Sequence, residues 1–171
     1  SQEARKRYWA RSYVGWSVIA NAKPNLGHFA LAQAESLGRI GHIVTQNVDC
    51  LHQQAGSKKV TDLHGRLDQV VCMSCKAYLP RLDVDTLIED LNPGITKDMG
   101  IEFTPDGDAE VEAAKDFKVP GCPNCQGVLK PDVVFFGESV PTLRVSQTMT
   151  ELEKLDALLI AGSSLAVNSG M

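Results

Sequence analysis

Two Cys-x-x-Cys pairs carry the clearest chemical signal in this 171-residue sequence. In each pair, two thiolates can hold one metal ion across a tight turn, and two pairs complete a tetrahedral shell of sulfur ligands. A closed shell leaves no position for a reacting water, so we predict one structural zinc ion. The 46 residues between the pairs exceed the usual gap of a zinc ribbon, and a redox-active pair is the competing interpretation. The predicted ligands are Cys72, Cys75, Cys122 and Cys125.

A polar segment at 45–52 is the second chemical signal, because it follows a β-like apolar run and precedes a His-Gly pair. In α/β proteins, groups at the carboxyl ends of strands bind ligands. His64 is our candidate general base, since an ordinary imidazole has a pKa of ~6.5 and accepts a proton near neutral pH. The amides of Gln46 and Asn47 both donate and accept hydrogen bonds, and the carboxylate of Asp49 accepts them. The alternative is a polar loop with a structural histidine.

The positions of apolar residues predict the elements around these groups. Near-helical spacing at 29–37 predicts a helix, and the run at 40–44 predicts the strand that delivers the polar segment. Later, an amphipathic helix at 143–155 lies between two apolar runs, at 133–136 and 157–161, that are typical of buried strands. This alternation of strand, helix and strand predicts a parallel sheet of the α/β class.

Bulk composition excludes several classes of protein. The net charge is −4 with mixed signs and no basic stripe, so nucleic acid is not a predicted partner. No apolar run approaches the ~18 residues of a membrane span, so we expect no membrane insertion. An odd count of five cysteines, four of them paired in knuckles, favours a reducing compartment over a disulfide framework.

Taken together, these motifs resemble the sirtuins, the NAD-dependent protein deacylases. The family's Thr-Gln-Asn-Val-Asp-x-Leu-His segment, its His-Gly pair and its two cysteine pairs occur here in order. Two further family signatures follow, and the resemblance covers essentially the whole chain. They are Phe136-Gly137-Glu138 and Gly162-Ser163-Ser164-Leu165.

The resemblance implies a Rossmann-like parallel sheet with an inserted small zinc-ribbon module. We expect the Rossmann-like part at 1–65, the zinc-binding module at 66–128 and the continued Rossmann-like part at 129–171. The family's opening Gly-Ala-Gly phosphate loop and its late strands are not in this sequence. We therefore interpret the chain as a piece of a longer protein, with an incomplete NAD pocket that binds NAD poorly as an isolated fragment.

The resemblance also implies the roles of the site residues. His64 activates a ribose hydroxyl of NAD, the acyl group of a lysine ends on ADP-ribose, and nicotinamide is released. The NAD-binding residues are Gln46, Asn47, Asp49, Gly162, Ser163 and Ser164. An acylated-lysine protein is the expected partner, and its peptide is clasped as an added strand. The residues that clasp it are Phe136, Gly137, Glu138, Val167 and Asn168.

Within the family, segments at 7–11, 133–138 and 167–170 look like the class II branch of the mitochondrial type, which implies a location in the mitochondrial matrix. Our hypothesis is NAD-dependent lysine deacylation. One alternative is ADP-ribosyl transfer to a protein on the same fold, and another is a non-catalytic zinc-ribbon binding protein. Cys50 is either an inert small residue, which we favour, or an oxidisable thiol beside the pocket.

Overall fold

A computed structural model describes residues 1–96 and 116–163 of the chain. Within them lie five helices and five strands. In chain order these are α1 (Gln2–Asn21), α2 (Leu26–Ser36), β1 (Ile43–Thr45), α3 (Leu51–Gln54), β2 (Val60–Asp62), β3 (Gly65–Cys72), β4 (Tyr78–Pro80), α4 (Arg81–Leu91), β5 (Leu129–Val133) and α5 (Thr142–Leu152). None of the described helices is both long and apolar enough to cross a membrane.

The chain divides into two compact units that interleave in sequence. The first unit joins residues 1–22 to 67–131, and the second joins 23–66 to the residues from 132 onward. The first helix thus belongs with the cysteine segment in this division, whereas we had placed it in the Rossmann-like part. The predicted domain limits remain a prediction.

In the first unit, α1 presents one apolar face to the core. Its N-terminus is capped by the Ser1 hydroxyl, which accepts from the backbone N–H of Ala4 at 3.2 Å. The buried residues Trp9, Ala10, Tyr13 and Val14 recur at helical spacing and pack in one cluster with residues of β3, α4 and β5. Trp9 and Tyr13 are thus the buried aromatic residues of this helix.

A three-stranded sheet in the order β4-β3-β5 supports the cysteine pairs. β3 and β4 are antiparallel, with Val70 opposite Leu79 and Val71 opposite Tyr78. β3 ends at Cys72, so the first pair begins where the strand turns. α4 follows β4 directly and buries Val84 and Ile88 against the same core.

The second unit contains two parallel strands, β1 and β2. Their register pairs Ile43 with Val60 and Thr45 with Asp62. The helix before them, α2, begins at a capping box in which Asn25 and His28 bond each other's backbone N–H groups. This helix was predicted at 29–37, and its end agrees with that prediction to one residue.

Two predicted strands differ from the structure. The strand expected at 133–136 ends at Val133, and Phe136 is fully exposed, because a turn closed by Glu138 begins at Phe135. The strand expected at 157–161 is not a strand, and Leu158 and Leu159 are 66% and 83% exposed. An apolar run becomes a buried strand only beside other strands, and no strand among the described residues pairs with this one.

Candidate functional site

The four predicted metal ligands lie together in the first unit. Their Sγ atoms all lie within 4.8 Å of one another. The Cys72 and Cys125 sulfurs are 3.6 Å apart, and those of Cys75 and Cys122 are 3.7 Å apart. Tetrahedral zinc with bonds of about 2.3 Å places its sulfur ligands about 3.8 Å apart, so this cluster fits zinc.

The two cysteine pairs share one backbone geometry. The residue after each pair has a left-handed backbone, with φ of 61° at Lys76 and 58° at Gln126. Its N–H donates to the carbonyl of the first cysteine of that pair, from Lys76 to Cys72 at 3.0 Å and from Gln126 to Cys122 at 2.7 Å. Because both turns are closed by the backbone, the sulfur atoms are positioned by the local fold itself.

The surroundings of Cys72 favour its thiolate form, which is the form that binds metal. A backbone hydrogen bond from Cys75, supplemented by one from Ser74, lowers the pKa of Cys72 to about 6, although burial opposes the shift. Gly127 is needed beside this sulfur, because a Cβ there would lie 2.9 Å from Cys72 Sγ and 2.5 Å from Ser74 Oγ. The second knuckle therefore approaches the first too closely for any side chain at this position.

Three of the predicted NAD-binding residues, Gln46, Asn47 and Asp49, and the candidate base His64 follow the carboxyl ends of the two parallel strands in the second unit. Thr45 lies opposite Asp62, and the N–H of Leu63 donates to the carbonyl of Thr45 at 2.9 Å. Gln46 follows the first of these strands, and His64 follows the second by two residues. Parallel strands end at the same edge, so the structure brings these groups to one side of the sheet.

Local hydrogen bonds shape the loop after β1. The Thr45 hydroxyl accepts from the N–H of Asn47 at 3.1 Å, and the Asp49 carboxylate accepts from the N–H of Leu51 at 3.0 Å. Asp49 thus binds the first N–H of α3 from outside the helix, and the cap position itself is occupied by Cys50, which has a φ of 62° and no capping side-chain bond. Asn47 is exposed at the surface, whereas Cys50 is buried.

His64 is fixed through its backbone and is half-buried. Its carbonyl accepts from the N–H of Val134 at 2.8 Å. The next residue, Gly65, has a φ of 90°, and a Cβ there would lie 1.8 Å from the carbonyl oxygen of Asp132. Asp132 in turn pairs with Arg144 at 3.0 Å. The predicted role for this glycine, a sharp turn beside the imidazole, agrees with its geometry.

A histidine pair adjoins this loop. The rings of His28 and His52 are 4.9 Å apart and tilted by 53°. Burial lowers the pKa of His52, the charge of His28 lowers it further, and Asp49 and Asp62 oppose both effects. The contact between the two histidines was missed, because residues 24 positions apart in sequence give no local signal of contact.

The remaining predicted residues are only partly brought to the site. Phe136, Gly137 and Glu138 form an exposed turn, in which the Glu138 carboxylate accepts from the N–H of Phe135 at 3.0 Å. Gly162 and Ser163 are exposed and follow no strand in the described part of the chain. The other predicted residues lie outside the described ranges, and they are Ser164, Val167 and Asn168.

Comparisons with known proteins identify the family of this chain. The model of the Sir2 family matches residues 1–169. A NAD-dependent protein deacetylase of Xanthomonas campestris pv. campestris (strain 8004) is 53% identical over 168 residues, covering 97% of this chain and 57% of the relative. NAD-dependent protein deacetylase 2 of Bradyrhizobium diazoefficiens is 51% identical over 171 residues, covering 99% of this chain and 62% of the relative. The chain thus spans about three fifths of the length of these curated relatives.

Solved structures give the same result for the fold. A Sir2 bound to an acetylated peptide superposes with a TM-score of 0.68 at 30% identity, covering 90% of this chain and 54% of that one. A Sir2 complex with p53 peptide and NAD superposes with a TM-score of 0.67 at 32% identity, covering 89% and 52%. The predicted Rossmann-like α/β fold with a parallel sheet is thereby confirmed.

These relatives also correct one prediction. The proteins at about half identity are bacterial, and bacteria have no mitochondria. The expected location in the mitochondrial matrix is therefore wrong, and the resemblance to the mitochondrial class II branch is not supported. The broader assignment is secure, because the family model and the relatives both span nearly all of the sequence. The chain belongs to the Sir2 family.

Proposed function

We propose that this protein is a NAD-dependent protein lysine deacylase that transfers the acyl group to ADP-ribose and releases nicotinamide. The observation that carries the proposal is the parallel register of Thr45 with Asp62. That register supports the proposal, because the loop after β1 and the turn with His64 both follow the carboxyl ends of these paired strands. Relatives at about half identity are named NAD-dependent protein deacetylases, which supports the same activity.

In this proposal His64 is the general base. An imidazole can take a proton from a sugar hydroxyl near neutral pH, and such catalysis contributes about 10²- to 10⁴-fold in rate. Bound NAD would supply the electrophilic sugar carbon from which nicotinamide leaves. The backbone bond from Val134 to the carbonyl of His64 fixes the turn that carries the imidazole. Gly65 allows that turn, because its φ of 90° suits glycine alone.

The loop after β1 would hold the ribose and the nicotinamide amide. Gln46 and Asn47 offer amide groups that both donate and accept, as sugar hydroxyls require. Asp49 already uses one carboxylate oxygen to cap α3 at 3.0 Å, which fixes the orientation of its side chain. This arrangement is preorganised, since the loop conformation is set by hydrogen bonds within the protein.

An acylated-lysine protein is the proposed partner. The turn at 135–138 follows directly from Val134, whose N–H contacts His64, so a peptide held by this turn would lie near the base. Phe136 is fully exposed there and offers an apolar surface. Backbone pairing of a peptide with such a segment tolerates many sequences, which suits an enzyme with many protein substrates.

The zinc ion has a structural role in this proposal. All four ligands are cysteines, and a closed thiolate shell offers no site for a reacting water. A finer placement in the class II branch, without its mitochondrial location, rests on the sequence motifs at 7–11, 133–138 and 167–170 alone. The bacterial deacetylases do not support that placement, so acyl preference must be measured.

Product analysis tests the proposed function. The protein in its full chain is incubated with NAD and with lysine peptides that carry acetyl, propionyl or longer acyl groups, and products are identified by mass spectrometry. We expect O-acyl-ADP-ribose together with free lysine peptide. ADP-ribosylated protein with every acyl peptide intact would instead favour the transferase. An absence of NAD consumption would leave a zinc-stabilised binding protein and would overturn the proposal.

A further inference from the structure

Asp62 lies where the two parallel strands of the second unit end. It is the last residue of β2, it pairs with Thr45 at the end of β1, and it precedes His64 by two residues. Its side chain is only 11% exposed. A carboxylate that is removed from water to this extent needs hydrogen-bonded or charged partners. The partners of Asp62 therefore indicate which parts of the second unit it joins.

One partner comes from α3. Nε2 of Gln53 donates to both carboxylate oxygens of Asp62, at 3.0 and 2.8 Å. Hydrogen bonds to a charged acceptor are stronger than those between neutral groups. Oε1 of Gln53 is buried and has no hydrogen-bond partner in the part of the chain that the structure describes. Asp62 therefore orients the Gln53 amide, because a reversed amide would place its oxygen against the carboxylate oxygens.

The short helix α3 depends on such contacts for its position. It has four residues, Leu51–Gln54, whereas isolated helices shorter than roughly 12 residues are marginal in water. Asp49 accepts from the N–H of Leu51 at the start of the helix, and Asp62 binds Gln53 near its end. Two carboxylates thus hold α3 near both ends. Because α3 follows directly from the loop after β1, fixing α3 also fixes the end of that loop.

A second partner of Asp62 lies beyond the candidate base. Nη1 of Arg66 is 3.9 Å from the Asp62 carboxylate, which is a charge contact rather than a hydrogen bond. The Arg66 side chain is 30% exposed, so this contact is weaker than the bond to Gln53. Asp62 and Arg66 lie two residues before and two residues after His64. One carboxylate therefore joins α3 to the turn that carries the imidazole.

We propose that Asp62 is a positioning residue for NAD, and that it acts through Gln53 to hold the loop after β1 in place relative to His64. This role rests on the proposed function, in which that loop holds the nicotinamide ribose and His64 takes a proton from it. Asp62 itself does not touch NAD. Reacting groups must be closely aligned, since a misplacement of about 1 Å can cost about 10²-fold in rate. Loss of the Asp62 carboxylate should therefore impair the use of NAD while the fold remains.

Steady-state kinetics of the full chain with NAD and an acetylated lysine peptide test this role. Asp62→Ala should raise KM for NAD about tenfold, which corresponds to the loss of one charge-assisted hydrogen bond. KM for the peptide should not change, because the turn at 135–138 is closed by its own bonds between Phe135 and Glu138. A residue with a structural role alone would lower the fraction of folded enzyme, which reduces kcat and leaves KM for NAD unchanged.

Two neighbouring glutamines provide a matched pair of variants. Gln53 bonds Asp62, whereas Gln54 is exposed on the same helix. Gln53→Ala should raise KM for NAD about as much as Asp62→Ala, and Gln54→Ala should leave it unchanged. The double variant of Gln53 and Asp62 should also show a rise of about tenfold rather than about a hundredfold, because both single changes break the same contact.

The conservative variant Asp62→Asn should raise KM for NAD less than Asp62→Ala, since its amide oxygen can still accept from Gln53. If Asp62→Ala fails to fold, the comparison of Gln53→Ala with Gln54→Ala still decides, and equal KM values for NAD would overturn the positioning role. Additive effects in the double variant would overturn it as well, since Asp62 would then not act through Gln53. Both results leave the proposed function standing. A wild-type protein that consumes no NAD would overturn the proposed function, and the positioning role with it.

Discussion

The carbonyl of His64 accepts a hydrogen bond from the N–H of Val134 at 2.8 Å. This bond joins two segments that are 70 residues apart in sequence, the turn after β2 and the residue after β5. The candidate base and the candidate peptide-binding turn therefore share one backbone connection.

Gly65→Ala should destabilise the protein strongly. The new Cβ would meet the Asp132 carbonyl at 1.8 Å, and the backbone has a φ of 90°. Strain and overpacking together should lower the free energy of unfolding by about 3 kcal/mol or more. Urea denaturation measures the change. Gly38→Ala is the control, because its φ is also positive but nothing lies within 4 Å of its Cβ, and it should cost only about 1–2 kcal/mol. Equal losses of unfolding free energy in the Gly65 and Gly38 variants would contradict the close contact at Gly65.

Cys72→Ala should remove zinc and lower thermal stability. The substitution breaks a four-thiolate shell, and metal binding free energy is part of the folding free energy at such a site. Zinc content per chain and the melting temperature are the measurements. Cys50→Ala is a matched control, because Cys50 is a buried cysteine that lies outside the cluster. Retention of zinc in the Cys72 variant would show that the cluster does not hold the metal.

Asp85→Ala should cost about 3–5 kcal/mol of unfolding free energy, because it leaves a buried arginine charge without its counterion. Arg81 and Asp85 are 2.8 Å apart with side chains only 1% and 3% exposed. Replacing both, as Arg81→Met with Asp85→Leu, should cost less than the single change, since no buried charge is then left alone. Chemical denaturation of both variants measures the two losses of unfolding free energy. A larger loss in the double variant than in Asp85→Ala would refute the prediction.

Protonation of His52 should destabilise the fold at acid pH. Burial, followed by the charge of His28, lowers the pKa of His52 below its ordinary value of 6.5. The unfolded chain therefore binds this proton more readily than the folded chain. The associated stability is fully present above pH 6.5, is lost progressively as pH falls, and is fully lost below the folded pKa. His52→Asn should flatten this part of the curve of unfolding free energy against pH, and an unchanged slope would contradict the assignment.

Local patterns predicted much of this fold. The spacing of apolar residues located α2 and α5, and the Cys-x-x-Cys spacing identified four sulfurs that lie within 4.8 Å of one another. The two helices depend on residues that are close in sequence. The sulfur cluster depends on four side chains that bind the same kind of metal ion.

The features that were not predicted depend on contacts between residues that are distant in sequence. The run at 157–161 has a strand-like composition, yet Leu159 is 83% exposed, because a strand needs neighbours that sequence pattern alone does not supply. The association of α1 with the cysteine segment, and the contact of His28 with His52, arise from packing between distant segments. The periodicity of apolar residues along the sequence gives no information about either contact.

The most direct test of the central claim is the rate of O-acyl-ADP-ribose formation by His64→Ala beside the wild-type protein. The account predicts a loss of about 10²- to 10⁴-fold, the usual contribution of a general base, with zinc content and unfolding free energy unchanged. His42→Ala is the control, because His42 bonds the Thr61 hydroxyl at 2.8 Å on the same pair of strands and has no proposed catalytic role. A His64→Ala variant that forms the product at the wild-type rate would contradict the proposed mechanism.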